Sequence, residues 1–435
     1  MNYSEALHYL LSLLGDIRGA NFGLHRMEKL MARLGQPQRA FRVVHVAGTN
    51  GKGSTAAMID SGLRAVGFSA GLYTSPHLAR FNERYRINGS DVCDDAFAAA
   101  VEEVRAANEK LAAIAGGEQH PTFFETLTAV AFCAFRNAAV DWGVIEVGLG
   151  GRLDATNVVN AEIAVITPIA LDHEAFLGSS PRSIGEETVG ILKPGSKGVT
   201  SPQHPEAAAV IVERARELGI PLVEAGVDWK AANISHAEGC YRFEAAPASA
   251  AKSSFPVELS LAGRHQIENA LCAIAALDAA GVDSEAIRKG LRQTRWAARL
   301  EHLPGKPTTL LDAAHNPSGA ATLARFLEEH HAGRRIHLIY GAVRDKAVDD
   351  VAGLLFPLAY RVILTRSNVQ RSLQPETLRE IVDHHHERIE TTATVEEAIR
   401  AARQGAADSD LIVIAGSILL VGEAREALLA VGSKS

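Results

Sequence analysis

Cysteine is scarce in this chain of 435 residues, and the four present (Cys93, Cys133, Cys240, Cys272) lie far apart with no C-x-x-C pair. They read as reduced thiols of a cytoplasmic protein. No apolar run reaches the ~18 residues that a membrane-spanning helix needs, so no membrane segment is expected. The opening Met1-Asn2-Tyr3-Ser4-Glu5 lacks a basic stretch leading into an apolar one, and no secretory leader is expected. Positive charge is not in excess either. A net charge of -7 argues against a nucleic-acid surface. Any anionic substrate must then be met by locally placed Lys, Arg and backbone N–H groups. What remains is 47% hydrophobic and 22% charged residues, the ordinary mix of a soluble globular protein. The length favours two or three domains over one.

Strand-like and helix-like segments alternate along most of the chain, the pattern of a doubly wound parallel sheet. Phe41 to Ala47 reads as a buried strand, followed by a Gly-rich turn and a helix from about Ser54 to Val66. Ala56, Ile59, Leu63 and Val66 recur there at helical spacing. Asp141–Val147 and Ala161–Thr167 are two further strands. Cys240 to Leu261 reads as a hairpin whose tip is the small-residue run Ala245–Ala251, and His265 to Ala280 as a long helix. The pattern restarts after Arg295-Trp296, with strands at Thr308–Leu311, Arg335–Tyr340, Arg361–Thr365 and Leu411–Ala415. These features predict an α/β protein: a P-loop-type, doubly wound nucleotide-binding domain over residues 1–296, then a smaller Rossmann-like α/β domain over 297–435. Ligand sites are common at such domain boundaries.

The sharpest local signal is Gly48-Thr49-Asn50-Gly51-Lys52-Gly53-Ser54, between a strand and a helix. Glycines let the backbone curl around phosphate oxygens, the helix N-terminus adds positive potential, and Lys52 can reach the terminal phosphates. Ser54 or Thr55 can offer a hydroxyl to Mg²⁺. The G-x-x-x-x-G-K-[ST] pattern does not fit, because Val46 stands at its first Gly and Gly53 follows the Lys.

The stretch His45–Thr55 is similar to the nucleotide loop of folylpolyglutamate synthases, within the Mur-ligase superfamily. The resemblance continues in order through Tyr73-Thr74-Ser75-Pro76-His77-Leu78, Phe81-Asn82-Glu83-Arg84 and Ile87-Asn88-Gly89. Thr122-Phe123-Phe124-Glu125, the stretch Glu146–Asn157, Leu171-Asp172-His173 and Gly263–Ala270 follow. Asp312-Ala313-Ala314-His315-Asn316-Pro317 and Asp345-Lys346 complete it. The chain thus resembles the bifunctional dihydrofolate synthase/folylpolyglutamate synthase family over almost its whole length. That resemblance implies an ATP-binding Mur-ligase-like domain followed by a glutamate-ligase domain, joining L-glutamate to dihydropteroate and to reduced folates through an acyl phosphate. It implies ATP as co-substrate, Mg²⁺ as cofactor, and a cytoplasmic monomer with no nucleic-acid or membrane partner. By the same resemblance Thr49, Asn50, Gly51, Lys52, Gly53, Ser54 and Asn269 contact ATP, and Arg299, Asp312 and His315 close over it from the second domain. Ser54, Ser75, Glu146 and His173 are the implied metal ligands, with Lys52 and His173 closest to the chemistry. Phe81, Arg84, Phe124 and Asp154 are implied for the pterin end.

Rival roles accompany these residues. Asp312 is a good N-cap for a following helix, and His173 can cap or pack. His384-His385-His386 resembles a metal cluster only in composition, since adjacent helical residues point apart, and it reads as a solvated face. His330-His331 reads the same way. The chain also departs from the family in Ile184–Gly195, where Thr188 stands in place of a Lys that is typically carbamylated to make an anionic metal ligand. A threonine forms no carbamate, and Glu186 or Glu187 is the alternative source of a carboxylate. Glu174-Ala175-Phe176 and Trp296-Ala297-Ala298-Arg299 are smaller departures. A monofunctional folylpolyglutamate synthase and a diverged non-catalytic binding homologue are the competing readings. A Mur-type cell-wall ligase or a P-loop kinase fits the motifs less well.

Overall fold

The computed structural model describes residues 1–14, 23–115, 120–237, 240–250, 252–344 and 347–432, so the Asp345-Lys346 motif lies outside the described residues. The chain divides into two compact units. The first comprises Met1–Ile234, Phe243–Glu258 and Ile267–Thr294, and the second Ser235–Arg242, Leu259–Gln266 and Arg295–Ser435. No described helix is long and apolar enough to cross a membrane.

The first unit is built on eight strands: β1 (Arg42–Ala47), β2 (Ala70–Tyr73), β3 (Tyr85–Ile87), β4 (Ser90–Asp91), β5 (Trp142–Glu146), β6 (Ile163–Ile166), β7 (Lys197–Thr200) and β8 (Leu222–Glu224). Their order is β4-β3-β2-β5-β1-β6-β7-β8. From β2 to β8 the pairs are parallel, and β3 and β4 add an antiparallel edge. Central strands of a parallel sheet are covered on both faces, which explains why every residue of β1 after Arg42 is buried. One hydrophobic cluster gathers Phe41, Tyr73, Tyr85, Phe132, Phe135 and Ile145, and another Ala164, Ile166, Ile191 and Ile211. Val46 lies opposite Glu146 and Ala47 opposite Ile166. The segments that follow β1, β5 and β6 therefore leave the sheet at one edge, where open parallel sheets hold ligands.

The helix after β1 spans Lys52–Val66, two residues earlier than its periodicity predicts. Gly51 explains the shift: at φ +84° it turns the chain sharply enough for Lys52 and Gly53 to enter the first turn. The hairpin expected at 240–261 is part of a three-stranded sheet of β9 (Trp229–Ala237), β10 (Cys240–Pro247) and β11 (Phe255–Ala262), in the order β11-β10-β9. Ala245, Ala246 and Pro247 belong to β10, so the start of the expected tip is strand.

The second unit carries β12 (Glu301–Leu303), β13 (Thr308–Leu311), β14 (Ile336–Tyr340), β15 (Arg361–Leu364), β16 (Ile389–Thr391) and β17 (Leu411–Ala415), ordered β12-β13-β17-β14-β15-β16. Only β12 is antiparallel. The two strands that periodicity missed, β12 and β16, are three residues each, too short for an alternation to register.

Candidate functional site

The loop after β1 is held by its neighbour after β6. The Thr49 and Asn50 N–H groups donate to the Pro168 carbonyl at 3.0 and 3.2 Å, while Thr49 Oγ1 exchanges hydrogen bonds with the Ala170 backbone, both at 3.0 Å. These two amides therefore brace the loop instead of pointing at a phosphate. The first turn of Lys52–Val66, whose N-terminus no side chain caps, adds positive potential at the loop. Lys52 Nζ donates to the Gly48 and Thr49 carbonyls at 2.8 and 3.0 Å, which poises one cation at the loop mouth. Two glycines are dictated by crowding as well as by φ. A Cβ on Gly48 (φ +129°) would lie 2.3 Å from Thr167 Oγ1, and one on Gly51 would lie 2.2 Å from Asn269 Oδ1. Asn269, distant in sequence, is thereby brought against the loop.

Glu146 ends β5 in a buried position. Its Oε2 accepts from Ser75 N at 3.0 Å, which joins the segment after β2 to the end of β5. Ser75 and Glu146 are hard oxygen donors of the kind Mg²⁺ takes, and the Ser54 hydroxyl is another of that kind. His173 follows three residues after the Thr49–Ala170 anchor. It sits at φ +53° with its N–H on Asp172 Oδ1 at 2.8 Å, and its ring is exposed. The donors for a second ion are incomplete. Thr188 is buried and its Oγ1 donates back to the Ile184 carbonyl at 2.7 Å. Glu186 and Glu187, the candidate replacements, form ion pairs with Arg182 at 3.1 Å and Arg152 at 2.7 Å. The set present on this chain does not fit a second Mg²⁺ carried by a carbamate position.

Near β3 the motif Phe81-Asn82-Glu83-Arg84 divides its labour. Glu83 accepts the N–H groups of Leu78, Ala79 and Arg80, and Asn82 donates to the Val92 carbonyl. Those two residues shape the loop. Phe81 and Arg84 are left to make a surface with His77: Arg84 Nε donates to His77 Nδ1 at 2.8 Å, and the His77 and Phe81 rings lie 4.3 Å apart. Burial and the Arg84 charge push the His77 pKa down to about 3, so the ring is neutral and Arg84 carries the positive charge. Phe81 also meets Phe123 edge-on at 6.2 Å. In Thr122-Phe123-Phe124-Glu125 the outer residues form a capping box and leave the two rings projecting from the helix start. Phe124 packs so closely on Gly148 that a Cβ there would meet its Cζ at 2.3 Å. The sequence alone does not single out His77, because only folding of the loop brings it onto Arg84.

Asp154 is buried within its own loop. It accepts from Leu149 N, Thr156 N and Thr156 Oγ1, while His45 Nε2 donates to that same hydroxyl at 2.8 Å. Burial pushes the Asp154 carboxyl up and the His45 ring down to about 3. Its oxygens hold the Glu146–Asn157 stretch in shape.

In the second unit Asp312 follows β13 and does not cap the next helix. Asn316 caps Pro317–His330, accepting from Gly319 N at 2.8 Å. Asp312 instead accepts from Leu300 N and Ala314 N, both at 2.9 Å, and fixes the turn that carries Arg299. Burial raises its carboxyl and the nearby Arg299 guanidinium opposes that rise. His315 Nδ1 lies 2.9 Å from the Ala313 carbonyl on the same turn. Arg299, Asp312 and His315 thus form one local group. His330 and His331, read as solvated, are packed instead: His330 Nε2 meets Tyr241 OH at 3.1 Å and its ring lies 4.7 Å from Phe326.

Residues 46–277 match the family described as Mur ligase middle domain, and residues 298–418 that described as Mur ligase, glutamate ligase domain. The chain is 33% identical to the dihydrofolate synthase/folylpolyglutamate synthase of Bacillus subtilis, over 94% of this chain and 96% of that protein. It is 34% identical to a probable bifunctional folylpolyglutamate synthase/dihydropteroate synthase of Haloferax volcanii over 98% of this chain, which spans 50% of that longer protein. The Mycobacterium tuberculosis folylpolyglutamate synthase complexed with ADP and AMPPCP superposes with a TM-score of 0.91 at 31% identity, covering 98% of this chain and 99% of that one.

Proposed function

The chain belongs to the dihydrofolate synthase/folylpolyglutamate synthase family of Mur ligases, ATP-dependent amide-forming enzymes, and from that premise we propose its substrates and the residues that act on them. It ligates L-glutamate to dihydropteroate, forming dihydrofolate, and to reduced folates, forming polyglutamates. The observation that carries this reading is the pairing of the Lys52 loop and the Glu146–Ser75 contact with the Phe81, Arg84 and His77 surface in one unit.

An acceptor carboxylate oxygen bonds to the γ-phosphorus of ATP as the bond to the β-phosphate oxygen breaks, giving an acyl phosphate and ADP. The glutamate amine then bonds to the acyl carbon, phosphate leaves, and the nitrogen loses a proton. Carboxylate and triphosphate repel, so the site must concentrate positive potential where they meet. Lys52 and the first turn of its helix supply it by exchanging the Gly48 and Thr49 carbonyls for phosphate oxygens. Ser54, Ser75 and Glu146 hold Mg²⁺, which when bound neutralises charge on the β- and γ-phosphates. His173 stands at the γ-phosphate side on a segment pinned to the phosphate loop. Thr49, Asn50, Gly51, Gly53 and Asn269 shape the nucleotide site, and Arg299, Asp312 and His315 are proposed to bind ATP as well. The rings of Phe81 and Phe124 take the flat pterin, with Arg84 and Asp154 at the same end of the acceptor. We assign the enzyme to the cytoplasm as a monomer.

Phosphate release with Mg-ATP and L-glutamate, compared for dihydropteroate, tetrahydrofolate and no acceptor, tests the reading. Release with both acceptors and glutamate in both products is the expected result. Release with tetrahydrofolate alone would make the enzyme monofunctional. Nucleotide binding without release on either acceptor would overturn the assignment and mark Thr188 as the site of lost catalysis.

A further inference from the structure

Only two of the three histidines in His384-His385-His386 point together. The Asp383–His385 segment is a 3₁₀ turn, tighter than an α-helix, and it brings the His384 and His385 rings to 3.9 Å between centroids at a tilt of 39°. Both rings aim at one atom across the fold. Asp349 Oδ1, in the first turn of the helix Val348–Leu355, lies 3.3 Å from His384 Nε2 and 2.9 Å from His385 Nε2. The ligand atoms of all three lie within 4.8 Å of one another, the sole such trio among the described residues. His386 turns away, its Nε2 donating to the Ala359 carbonyl at 3.0 Å.

We propose that Asp349, His384 and His385 bind a transition-metal dication of the Zn²⁺ type, at a site that uses none of the nucleotide or folate residues. A metal about 2.0–2.1 Å from each ligand holds neighbouring donors roughly 2.9 Å apart at a right angle and roughly 3.3 Å apart at a tetrahedral angle. The two distances to Asp349 Oδ1 fall on those values, and an ion would enter by displacing the N–H protons that now point at that oxygen. Two imidazole nitrogens and a carboxylate select zinc, cobalt or nickel over magnesium, which prefers oxygen alone. His385 is pre-positioned: a Cβ on Gly353 would stand 3.2 Å from its Cε1, so glycine makes the room, and Phe356 meets the ring edge-on at 6.5 Å. The exposure of Asp349 and His384 leaves the ion's remaining positions to water and open to exchange. Bound metal ties the Asp383–His385 turn to the helix Val348–Leu355 and stabilises the second unit.

The test uses the full chain stripped of metal with a chelator. Titration with Co²⁺, followed by visible absorption and then by Zn²⁺ competition, should give one equivalent per chain and a raised unfolding temperature. His384→Ala, His385→Ala and Asp349→Asn should each weaken binding by at least about tenfold, the loss that even an outer-shell partner of a metal causes. Each should leave phosphate release with Mg-ATP unchanged. His385→Gln keeps the packing against Gly353 and Phe356 should the alanine variant fold poorly. Absence of stoichiometric binding in the native chain would overturn the proposal. So would an unchanged Co²⁺ spectrum in the His384→Ala/His385→Ala double variant. Binding that survives there but vanishes in His331→Ala would transfer the ion to the His302–His331 pair, whose Nε2 atoms lie 3.4 Å apart.

Discussion

Lys52 holds its ammonium on two carbonyls of its own loop, a geometry that a phosphate can replace without moving the backbone. Lys52→Ala should abolish phosphate release while leaving the unfolding temperature within error, because alanine is the best residue for a helix that starts at this position. Normal turnover in that variant would remove the phosphate-loop assignment. Thr188 poses the opposite question. It is buried and bonded to Ile184, so it contributes to its helix and nothing to a metal. Thr188→Lys should raise the rate in the presence of bicarbonate if a carbamate limits catalysis; an unresponsive rate would mean that the present donors suffice. Ala298, in the departing stretch Trp296-Ala297-Ala298-Arg299, is fully buried at φ +57°, where a Cβ costs on the order of 1–2 kcal/mol. Glycine relieves that cost and returns roughly 0.5–1 kcal/mol of it as unfolded-chain entropy. Ala298→Gly should therefore raise the denaturant midpoint slightly, by less than about 1 kcal/mol in stability.

Helix ends position most of the candidate site. The capping box of Thr122 and Glu125 starts Phe123–Asn137 and sets two partly buried rings at its beginning, and Arg26 adds an ion pair to Glu125 at 3.1 Å. Thr122→Ala should cost about 1 kcal/mol of stability. It should also raise KM for the folate acceptor while KM for ATP stays constant, since the disturbed residues are Phe123 and Phe124. Equal changes in both KM values would separate those rings from the acceptor. At this scale the periodicity of Ala56, Ile59, Leu63 and Val66 located the phosphate-loop helix correctly, but its first turn was missed. Lys52 and Gly53 carry no apolar signal, and it is the positive φ of Gly51 that admits them. The strands β12 and β16 escaped for a related reason, being stabilised by sheet neighbours instead of by any pattern of their own.

For the molecule as a whole, burial has depressed several histidines. His45 and His77 are pushed down to about 3, and His265 and His331 to about 4. The unfolded chain takes up these protons near its ordinary value of 6.5, whereas the folded protein refuses them. Their contribution is thus complete above about pH 6.5 and is lost progressively as pH falls toward 3 to 4. Asp154 and Asp312, raised by burial, act with the opposite sign: they favour the fold below the carboxylate value of 3.8 and lose that contribution as pH rises through their folded values. Thermal unfolding should shift to lower temperature between pH 7 and pH 5; a flat profile would contradict the buried-histidine account. Family, fold class and nucleotide loop were legible in the chain because each rests on local order: alternating apolar runs, glycines beside Lys52, and motifs in fixed succession. The partners of those motifs were not. Asn269 against Gly51, Ser75 on Glu146, Arg84 on His77 and His384 with His385 on Asp349 are meetings of distant or turned segments. Periodicity says which face of an element is buried, but sheet order and loop packing decide which side chain it meets there.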